Sequence, residues 1–357
     1  MIILPYELYI ASGDLKILEE QHTSMKTWID IALPRGHSGL WDESIHQLGD
    51  WLDPSAPPAE PGKGKTDPHL VANAYLVRIT DIMRKVSEAL GIKEDHTRYI
   101  SASQHIKAAF QDEYVTKNGR LAPDTMTSLA LALSHDLIPH PLEIAAAIRL
   151  VKLVRASKFR IGTGFVGTPL ILPVLAAAGY PQIAYRMLLE KKCPSWLYPI
   201  TMGATTMWER WDSMLPNGSI NPGSMTSFNH YALGAVGSFL HGTVGGISSL
   251  EPGWKSIRVM PVPGGEITWA KVQFESPYGT VSCEWTHERG KFSMKLSIPP
   301  NTRAEIILPG QSSSDNEWVD SGEHEFCIDF DQGEWPPEAI FDPFALSEAY
   351  CVEWKSA

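Results

Sequence analysis

Apolar residues recur with the period of an α-helix from the first residue to about residue 245. The opening segment over residues 2–10 already has one apolar side, and Asp14 is a suitable N-cap for a second helix that ends near Leu33. Further helices are predicted over residues 71–90, 96–114, 123–134, 141–157, 169–178, 181–191 and 226–243. About nine helices joined mostly by short turns favour an arrangement of antiparallel helix hairpins.

The period changes to two near residue 247, which predicts β-strands. Alternating apolar positions mark strands over residues 281–285, 292–298 and 304–308, with a predicted turn at Pro299-Pro300-Asn301. The run over residues 267–274 shifts its phase by one residue, which predicts a β-bulge. Strands of this spacing with one apolar face indicate an antiparallel sandwich.

Two irregular stretches interrupt the helical region. Residues 34–68 form a long predicted loop, and loops of that length in a compact domain are usually functional or disordered. Residues 162–167 spell GxGxxG, but they follow a helical run and precede Thr168-Pro169. A dinucleotide site needs a strand before this turn, so the pattern gives little support to a nucleotide site.

Composition mainly argues against two classes of protein, those that bind nucleic acid and those that span a membrane. The chain has 357 residues, enough for two domains, and a formal net charge of −11. Without a long run of lysine or arginine, binding to nucleic acid has little electrostatic support. The sequence has no apolar run of membrane-spanning length and no basic leader of a signal peptide, so we predict no membrane partner and leave the compartment open.

The four cysteines are scattered without CxxC spacing at Cys193, Cys283, Cys327 and Cys351. This spacing supports neither a zinc site nor a disulfide framework, although one disulfide among the last three stays an alternative. The sequence also lacks HExxH, GxSxG and P-loop motifs, so zinc-protease, serine-hydrolase and P-loop chemistry have no support.

The segment GATTMWERWDS at 203–213 has the densest candidate chemistry. Glu209 lies between two tryptophans and beside Arg210, in a loop rich in small polar residues. Such a setting can hold a carboxylate ionised and oriented while a sugar ring stacks on an indole. The alternative interpretation is a Glu209–Arg210 surface ion pair beside two core tryptophans.

Two other loops repeat parts of this chemistry. His230, in the string SFNHYA, can donate a hydrogen bond to a sugar hydroxyl, although a lone histidine is more often structural. Asp50 and Trp51, in the string GDW, again place an acid beside an indole.

Several strings taken in order resemble the family-78 glycoside hydrolases, the α-L-rhamnosidases. They are GDWLDP (49–54), TGFVGTP (163–169), GATTMWERWDS (203–213), SFNHYALGAVGSFL (227–240) and PGWKSIRVMPVPGG (252–265). The resemblance covers almost the whole chain. It implies an (α/α)6-barrel catalytic domain over residues 1–246, incomplete because its N-terminal helices are missing, and an antiparallel β-sandwich over residues 247–357.

The same resemblance implies release of terminal α-L-rhamnose from a rhamnoside substrate with inversion at the anomeric carbon, and neither a cofactor nor a metal. In that mechanism one carboxylic acid protonates the leaving oxygen, and a second carboxylate, about 6.5–9.5 Å away, activates water. By resemblance Glu209 is the general base, and His230 and Trp51 contact the sugar. Further candidates for the substrate pocket are Asp50, Trp208 and Tyr6.

One departure from the family pattern concerns the general acid. The family's acid lies in a segment resembling DxRxE…GWTGD, and these 357 residues do not contain it. We therefore expect an upstream segment to supply the acid, and weak or no activity from the isolated chain. The alternatives are a non-catalytic carbohydrate-binding remnant, or another (α/α)6 enzyme such as a glucuronyl hydrolase or trehalase.

Overall fold

The computed structural model describes residues 1–57, 59–311, 314 and 316–341. Its backbone contacts divide the chain into two compact units that do not follow chain order. The first unit contains residues 1–33, 78–104 and 237–333, and the second contains 34–77, 105–236 and the described residues 334–341.

Helices occupy most of the described chain before residue 245. The α-helices are α1 Ile3–Ser12, α2 Leu15–Thr27, α3 Pro68–Ala89, α4 Lys93–Tyr114, α5 Met126–Ser134, α6 Glu143–Ala156, α7 Thr168–Ala177, α8 Pro181–Leu188, α9 Leu197–Thr201 and α10 Val236–Phe239. Single π-turns over Trp28–Ala32 and Leu240–Val244 extend α2 and α10. Within the described residues, no helix combines the length and the apolar content that crossing a membrane requires.

In the first unit, α1 and α2 form the opening helices, as predicted. Asp14 caps α2 by accepting the backbone N–H of Lys16 at 2.9 Å. The apolar side of α1 is largely uncovered, because Leu4 and Leu8 are 66% and 47% exposed. Few burial contacts therefore hold α1 to the described part of this unit.

Besides helical residues within 78–104 and 237–244, the first unit contains one six-stranded sheet with the order β1-β2-β5-β4-β3, in which β6 pairs with the other side of β5. The strands are β1 Ile247–Ser249, β2 Ser256–Val259, β3 Trp269–Ser276, β4 Gly279–Glu288, β5 Lys291–Ile306 and β6 Glu317–Asp329. Pairing is antiparallel except between β2 and β5, which run parallel. Alternate residues of β4 and β5, including Trp285 and Phe292, form a buried core.

The predicted strands are confirmed, but three details of the sheet differ. The turn predicted at Pro299-Pro300-Asn301 is wrong, because β5 runs through it with a register irregularity between Ile298 and Arg303. The bulge predicted near residues 267–274 is also wrong. The register of β3 with β4 is unbroken, and Trp269 interrupts the apolar pattern only because it faces solvent, 65% exposed. Strand β6 was not predicted, since most of its side chains are exposed and give no apolar alternation.

In the second unit, α5 is the most deeply buried helix. Residues from Met126 to Ala132 are all buried, and α5 packs against α6 and α7. Thr125 caps α5 in a reciprocal capping box with Ser128, so the helix begins slightly later than predicted. Such a helix, buried on every side, belongs to the core of this unit.

The helix predicted over residues 226–243 is wrong in its first part. Residues 226–231 are not helical, and regular turns begin at Ala232 with a 3-10 segment over Ala232–Ala235. The backbone of Ser227 and His230 instead bonds to residues 207–209. Tertiary pairing has therefore replaced the local helical bonds that the sequence favours.

Three of the four cysteines lie in the described residues. Cys193, Cys283 and Cys327 take part in no disulfide within the described residues. Cys351 lies outside the described residues, so the disulfide alternative that involves it is not addressed by the structure.

Candidate functional site

Two segments of the second unit pair with one another and bring the candidate residues together. The N–H of Glu209 donates to the carbonyl of Ser227 at 2.9 Å, and the N–H of His230 donates to the carbonyl of Met207 at 2.8 Å. The hydroxyl of Thr206 donates to the carbonyl of Phe228. These three hydrogen bonds hold the strings GATTMWERW and SFNHYA together and place Glu209 and His230 side by side.

The Glu209 carboxylate is mostly buried, but a hydrogen bond within the protein occupies only one of its two oxygens. Its side chain is 15% exposed, one oxygen accepts the N–H of Ser227 at 3.1 Å, and the other lies 4.0 Å from Nε2 of His230. Arg210 does not pair with it, since the guanidinium bonds Asp212 at 2.7 Å and the carbonyl of Ser224 at 3.2 Å. The alternative of a Glu209–Arg210 surface pair is therefore wrong, and Glu209 keeps one oxygen directed toward His230.

The imidazole of His230 has a defined orientation. Its Nδ1 accepts the N–H of Ala232 at 3.2 Å, so the neutral ring carries its proton on Nε2. The ring stacks with Phe165 at a centroid distance of 5.3 Å and with Tyr231 at 5.0 Å. The 4.0 Å from Nε2 to Glu209 is too long for a hydrogen bond. The two groups therefore present a donor and an acceptor to one small region.

Trp208 and Trp211 belong to the packed interior beneath this loop. Trp208 is 2% exposed and meets Tyr198 and Phe228 edge to face, with centroid distances of 6.4 and 5.1 Å. Trp211 is 3% exposed and packs in the same way on Trp196 at 5.5 Å. Trp208 thus has no free ring face for a sugar, which corrects its assignment as a pocket residue. It supports the neighbouring Glu209 from below.

Asp50 is enclosed by protein. Its carboxylate is 1% exposed and accepts the N–H groups of Gly164, Val166 and Gly167 at 2.7, 2.9 and 3.2 Å, and the hydroxyl of Thr127 at 2.5 Å. Burial raises the pKa of Asp50 to about 6, against the opposing effect of these hydrogen bonds. A carboxylate bonded on all sides cannot also bind a ligand, so the prediction of direct substrate contact by Asp50 is corrected.

The close packing of the 163–168 loop around Asp50 explains why positions 164 and 167 are glycines. A Cβ atom on Gly164 would lie 2.4 Å from the carbonyl oxygen of Trp51 and 2.6 Å from that of Asp50. A Cβ atom on Gly167 would lie 2.5 Å from the hydroxyl of Thr127. The loop leads directly into α7, so its N–H groups form an anion cradle at a helix N-terminus, and the anion in it is the protein's own carboxylate.

Trp51 differs from Trp208 because its indole remains partly exposed. Its carbonyl accepts the N–H of Phe165 at 2.8 Å, and its indole N–H points to the sulfur of Met225 at 3.3 Å. The ring also lies over Gly62, where a Cβ atom would be 3.2 Å from it. The predicted pocket residue Trp51 and the loop 163–168 are therefore joined.

Tyr6 lies in the first unit, on α1. Its ring is half-buried beside Tyr9, at a centroid distance of 6.4 Å, and burial together with the nearby Glu7 and Asp81 raises the pKa of its hydroxyl. Its role in the pocket stays a prediction. Phe165 was not among the predicted site residues; the signal for it was an aromatic residue in the middle of a glycine-rich loop.

Comparison with known protein families matches both parts of the chain. The model of the bacterial alpha-L-rhamnosidase 6 hairpin glycosidase domain matches residues 1–244, and that of the bacterial alpha-L-rhamnosidase C-terminal domain matches residues 246–323. The predicted fold class, a six-hairpin helical region followed by a β-domain, is confirmed.

Individual relatives agree. The chain is 38% identical to an alpha-L-rhamnosidase of Streptomyces avermitilis over 308 residues, and this aligned region covers 86% of this chain and 29% of that protein. It is similar to the crystal structure of native α-L-rhamnosidase from Aspergillus terreus (TM-score 0.88, 44% identity, 91% of this chain and 38% of that one). It is also similar to the Streptomyces avermitilis enzyme complexed with L-rhamnose (TM-score 0.83, 35% identity, 92% and 32%). The chain thus spans about a third of the length of these relatives.

Proposed function

The chain belongs to the bacterial α-L-rhamnosidase family, and on that premise we propose that it carries the general-base side of a site that releases terminal α-L-rhamnose from rhamnosides. The observation that carries this proposal is the geometry of Glu209. Its carboxylate is oriented by Ser227, is mostly enclosed, and keeps one oxygen facing the Nε2 of His230. Such a group can take a proton from a water molecule as that water attacks a sugar carbon.

The neighbouring residues have side chains that suit the binding of a sugar. The Nε2–H of His230 is a donor 4.0 Å from the acceptor on Glu209, a spacing that a hydroxyl or water can bridge. Trp51 offers a partly exposed indole, and indole faces suit the apolar side of a pyranose. We propose that both contact the rhamnose ring, and that the reaction inverts the anomeric carbon.

The general acid is proposed to come from a segment outside these 357 residues. In support, the carboxylates of the neighbouring loops are already bonded within the protein: Asp50 to the 163–168 loop, Asp53 to Ser55, and Asp212 to Arg210. The uncovered apolar side chains of α1 support further helices packing in the complete enzyme. We therefore propose that this chain alone is weakly active.

The domain boundary is part of the same proposal. We place it between residues 246 and 247, because the first strand begins at Ile247 and the two family matches meet at residues 244 and 246. The C-terminal β-domain would then cover residues 247–357.

A second candidate function is carbohydrate binding without hydrolysis. It is favoured by the same internal bonding of Asp50, Asp53 and Asp212, which leaves Glu209 without an evident acid partner among them. The other alternative, a glucuronyl hydrolase or trehalase, has no support from relatives that are named α-L-rhamnosidases.

The substitution Glu209→Gln separates hydrolysis from binding. A 2,4-dinitrophenyl α-L-rhamnoside should be used, because its leaving group departs without protonation and the missing acid then matters little. We expect measurable turnover by the chain, a loss of about 10²–10⁴-fold in kcat for Glu209→Gln, and L-rhamnose binding kept within a few-fold by titration calorimetry.

Asp212→Asn is a matched control, since its carboxylate lies in the same loop but pairs with Arg210; it should change turnover only a few-fold. If Glu209→Gln keeps wild-type turnover, the base assignment is wrong. Binding of L-rhamnose with no turnover in either protein would establish the binding function instead. Turnover of a poor-leaving-group rhamnoside at the level of a full-length relative would contradict the proposal of an external acid.

A further inference from the structure

We propose that Asp50 is a positioning residue, whose buried carboxylate holds the 163–168 loop so that Phe165 stacks on His230 and fixes the imidazole beside Glu209. The effect of this arrangement on rhamnose rests on the function proposed above. The arrangement itself is a property of the loop and can be tested without any hydrolysis.

The first step is the saturation of the Asp50 carboxylate. An ionised carboxylate has about four lone-pair positions, and here four donors occupy them: three backbone N–H groups and the hydroxyl of Thr127. The side chain is 1% exposed, so none of these bonds competes with solvent. Charge-assisted bonds in such a setting are strong and geometrically specific.

The second step is the fixing of three successive amides around Phe165. The N–H groups of Gly164 and Val166 bond the Asp50 carboxylate, while the N–H of Phe165 itself bonds the carbonyl of Trp51 at 2.8 Å. Because Gly164 fits against backbone atoms with no room for a side chain, this part of the loop cannot slide. The direction in which the Phe165 side chain leaves the backbone is therefore set by residues 50 and 51.

The third step is the contact of Phe165 with the imidazole. The two rings are nearly parallel, with an interplanar angle of 24° and a centroid distance of 5.3 Å. Nδ1 of His230 is held by Ala232, so the stacked ring has little freedom left to rotate Nε2 away from Glu209. An imidazole that is held before the ligand arrives binds it without an ordering cost, which is the benefit of preorganisation.

Asp50 thus influences Glu209 indirectly. It holds the glycine loop, the loop directs Phe165, and Phe165 stacks on the His230 imidazole that lies beside Glu209. In this scheme Asp50→Asn is the most informative variant. The amide keeps the size of the side chain but replaces one acceptor oxygen by an NH2 group that faces backbone N–H donors. The loop must then shift, and Phe165 with it.

The experiment has two measurements. NMR follows the signal of the His230 imidazole, which is assigned as the signal that disappears in His230→Gln. Titration calorimetry measures the affinity for L-rhamnose. Stacking on Phe165 places the His230 ring protons in the shielding zone of the phenyl ring. We expect Asp50→Asn and Phe165→Leu each to move the His230 signal downfield. Each should also weaken L-rhamnose binding by about tenfold, the loss expected for one misplaced polar contact.

Asp53→Asn is the matched control. Asp53 is also a buried carboxylate of the GDWLDP string, but it bonds Ser55 and Lys65 rather than the 163–168 loop. It should leave the His230 signal in place. Thr127→Val, which removes only one of the four donors to Asp50, should give a smaller shift than Asp50→Asn.

The outcomes separate this inference from the function on which it builds. A folded Asp50→Asn protein with an unmoved His230 signal overturns the positioning role. Should Asp50→Asn fail to fold, Thr127→Val decides instead, because it removes a donor to Asp50 and leaves both Asp50 and the Phe165 ring in place; an unmoved His230 signal in a folded Thr127→Val protein then overturns the positioning role. If the wild-type chain does not bind L-rhamnose while the His230 signal still responds to these variants, the positioning role stands and the rhamnoside function fails.

Discussion

The loops GDW (49–51) and MWER (207–210) each place an acid beside an indole, and the structure uses them in opposite ways. In the first, the acid is buried at 1% exposure and the indole of Trp51 stays partly open. In the second, the indole of Trp208 is buried at 2% exposure and the carboxylate of Glu209 keeps an oxygen free. The same pair of residue types thus gives a buried carboxylate in one loop and a carboxylate with an unbonded oxygen in the other.

The difference follows from the donors that each loop meets. Asp50 faces the N-terminus of α7 and a glycine loop, which together supply three N–H groups and so offset part of the cost of burying its charge. Glu209 meets a single N–H, that of Ser227, and lies over an aromatic cluster that accepts the indole of Trp208 instead. Which member of the pair turns inward is decided by its partners, because a buried charge needs several donors whereas an indole needs mainly apolar contacts.

The largest expected effect is a loss of stability when the buried indole of Trp208 is removed. Trp208→Ala should lower the free energy of unfolding by about 3–5 kcal/mol, because it removes a fully buried ring from contact with Tyr198 and Phe228. Urea denaturation followed by circular dichroism measures this. A loss below about 1 kcal/mol would mean that Trp208 is not the core residue described here.

The next largest effect concerns the buried carboxylate of Asp50, which should make the free energy of unfolding depend on pH. Burial raises the pKa of Asp50 to about 6, whereas an unfolded aspartate titrates near about 3.9. The folded state therefore binds the proton more tightly. The stabilisation from the protonated group is complete below about pH 4 and is lost as the pH rises through about 6. Between pH 4 and pH 7 the wild-type free energy of unfolding should fall by about 2 kcal/mol relative to Asp50→Asn.

Urea unfolding of both proteins at several pH values gives the comparison. Other titrating groups are common to the two proteins and cancel in the difference. Two stability curves that run parallel from pH 4 to pH 7 would contradict the assigned cause, which is burial of the Asp50 carboxylate.

The smallest effect sharpens the contrast between the two tryptophans. Trp51→Ala should weaken L-rhamnose binding by about tenfold, or about 1.4 kcal/mol, while lowering the free energy of unfolding much less than Trp208→Ala does. Trp51→Phe, which keeps an aromatic face, should recover most of the affinity. Equal losses of stability in Trp51→Ala and Trp208→Ala would remove the distinction between an open and a core indole.

Much of the architecture could be predicted from local pattern. The long helices and the strands over 281–308 follow apolar spacing, and Asp14 caps α2 as its side chain suggests. Strand β6 escaped prediction because its side chains are mostly exposed, so that only pairing with β5 makes it a strand. Residues 226–231 were predicted as helix, but their backbone bonds to residues 207–209 instead.

The candidate site was predictable in part. Glu209, His230 and Trp51 were found through short strings, and the structure places Glu209 beside His230 and Trp51 beside the Phe165 loop. The burial of Asp50 and Trp208 was not predictable, since each depends on whether distant segments supply donors or apolar rings. Phe165 was missed for the same reason: its contact with His230 joins residues 65 positions apart in the chain.

The sequence by itself determined the helical region, the sheet that follows it, and the residue types available for glycoside chemistry. Hydrophobic period and short motifs are local properties, and each is complete within a few turns of chain. Only the tertiary structure decided which acid is buried and which is open, because the cost of burying a charge depends on donors from elsewhere. For Asp50 those donors come from residues 127 and 164–167, more than seventy positions away.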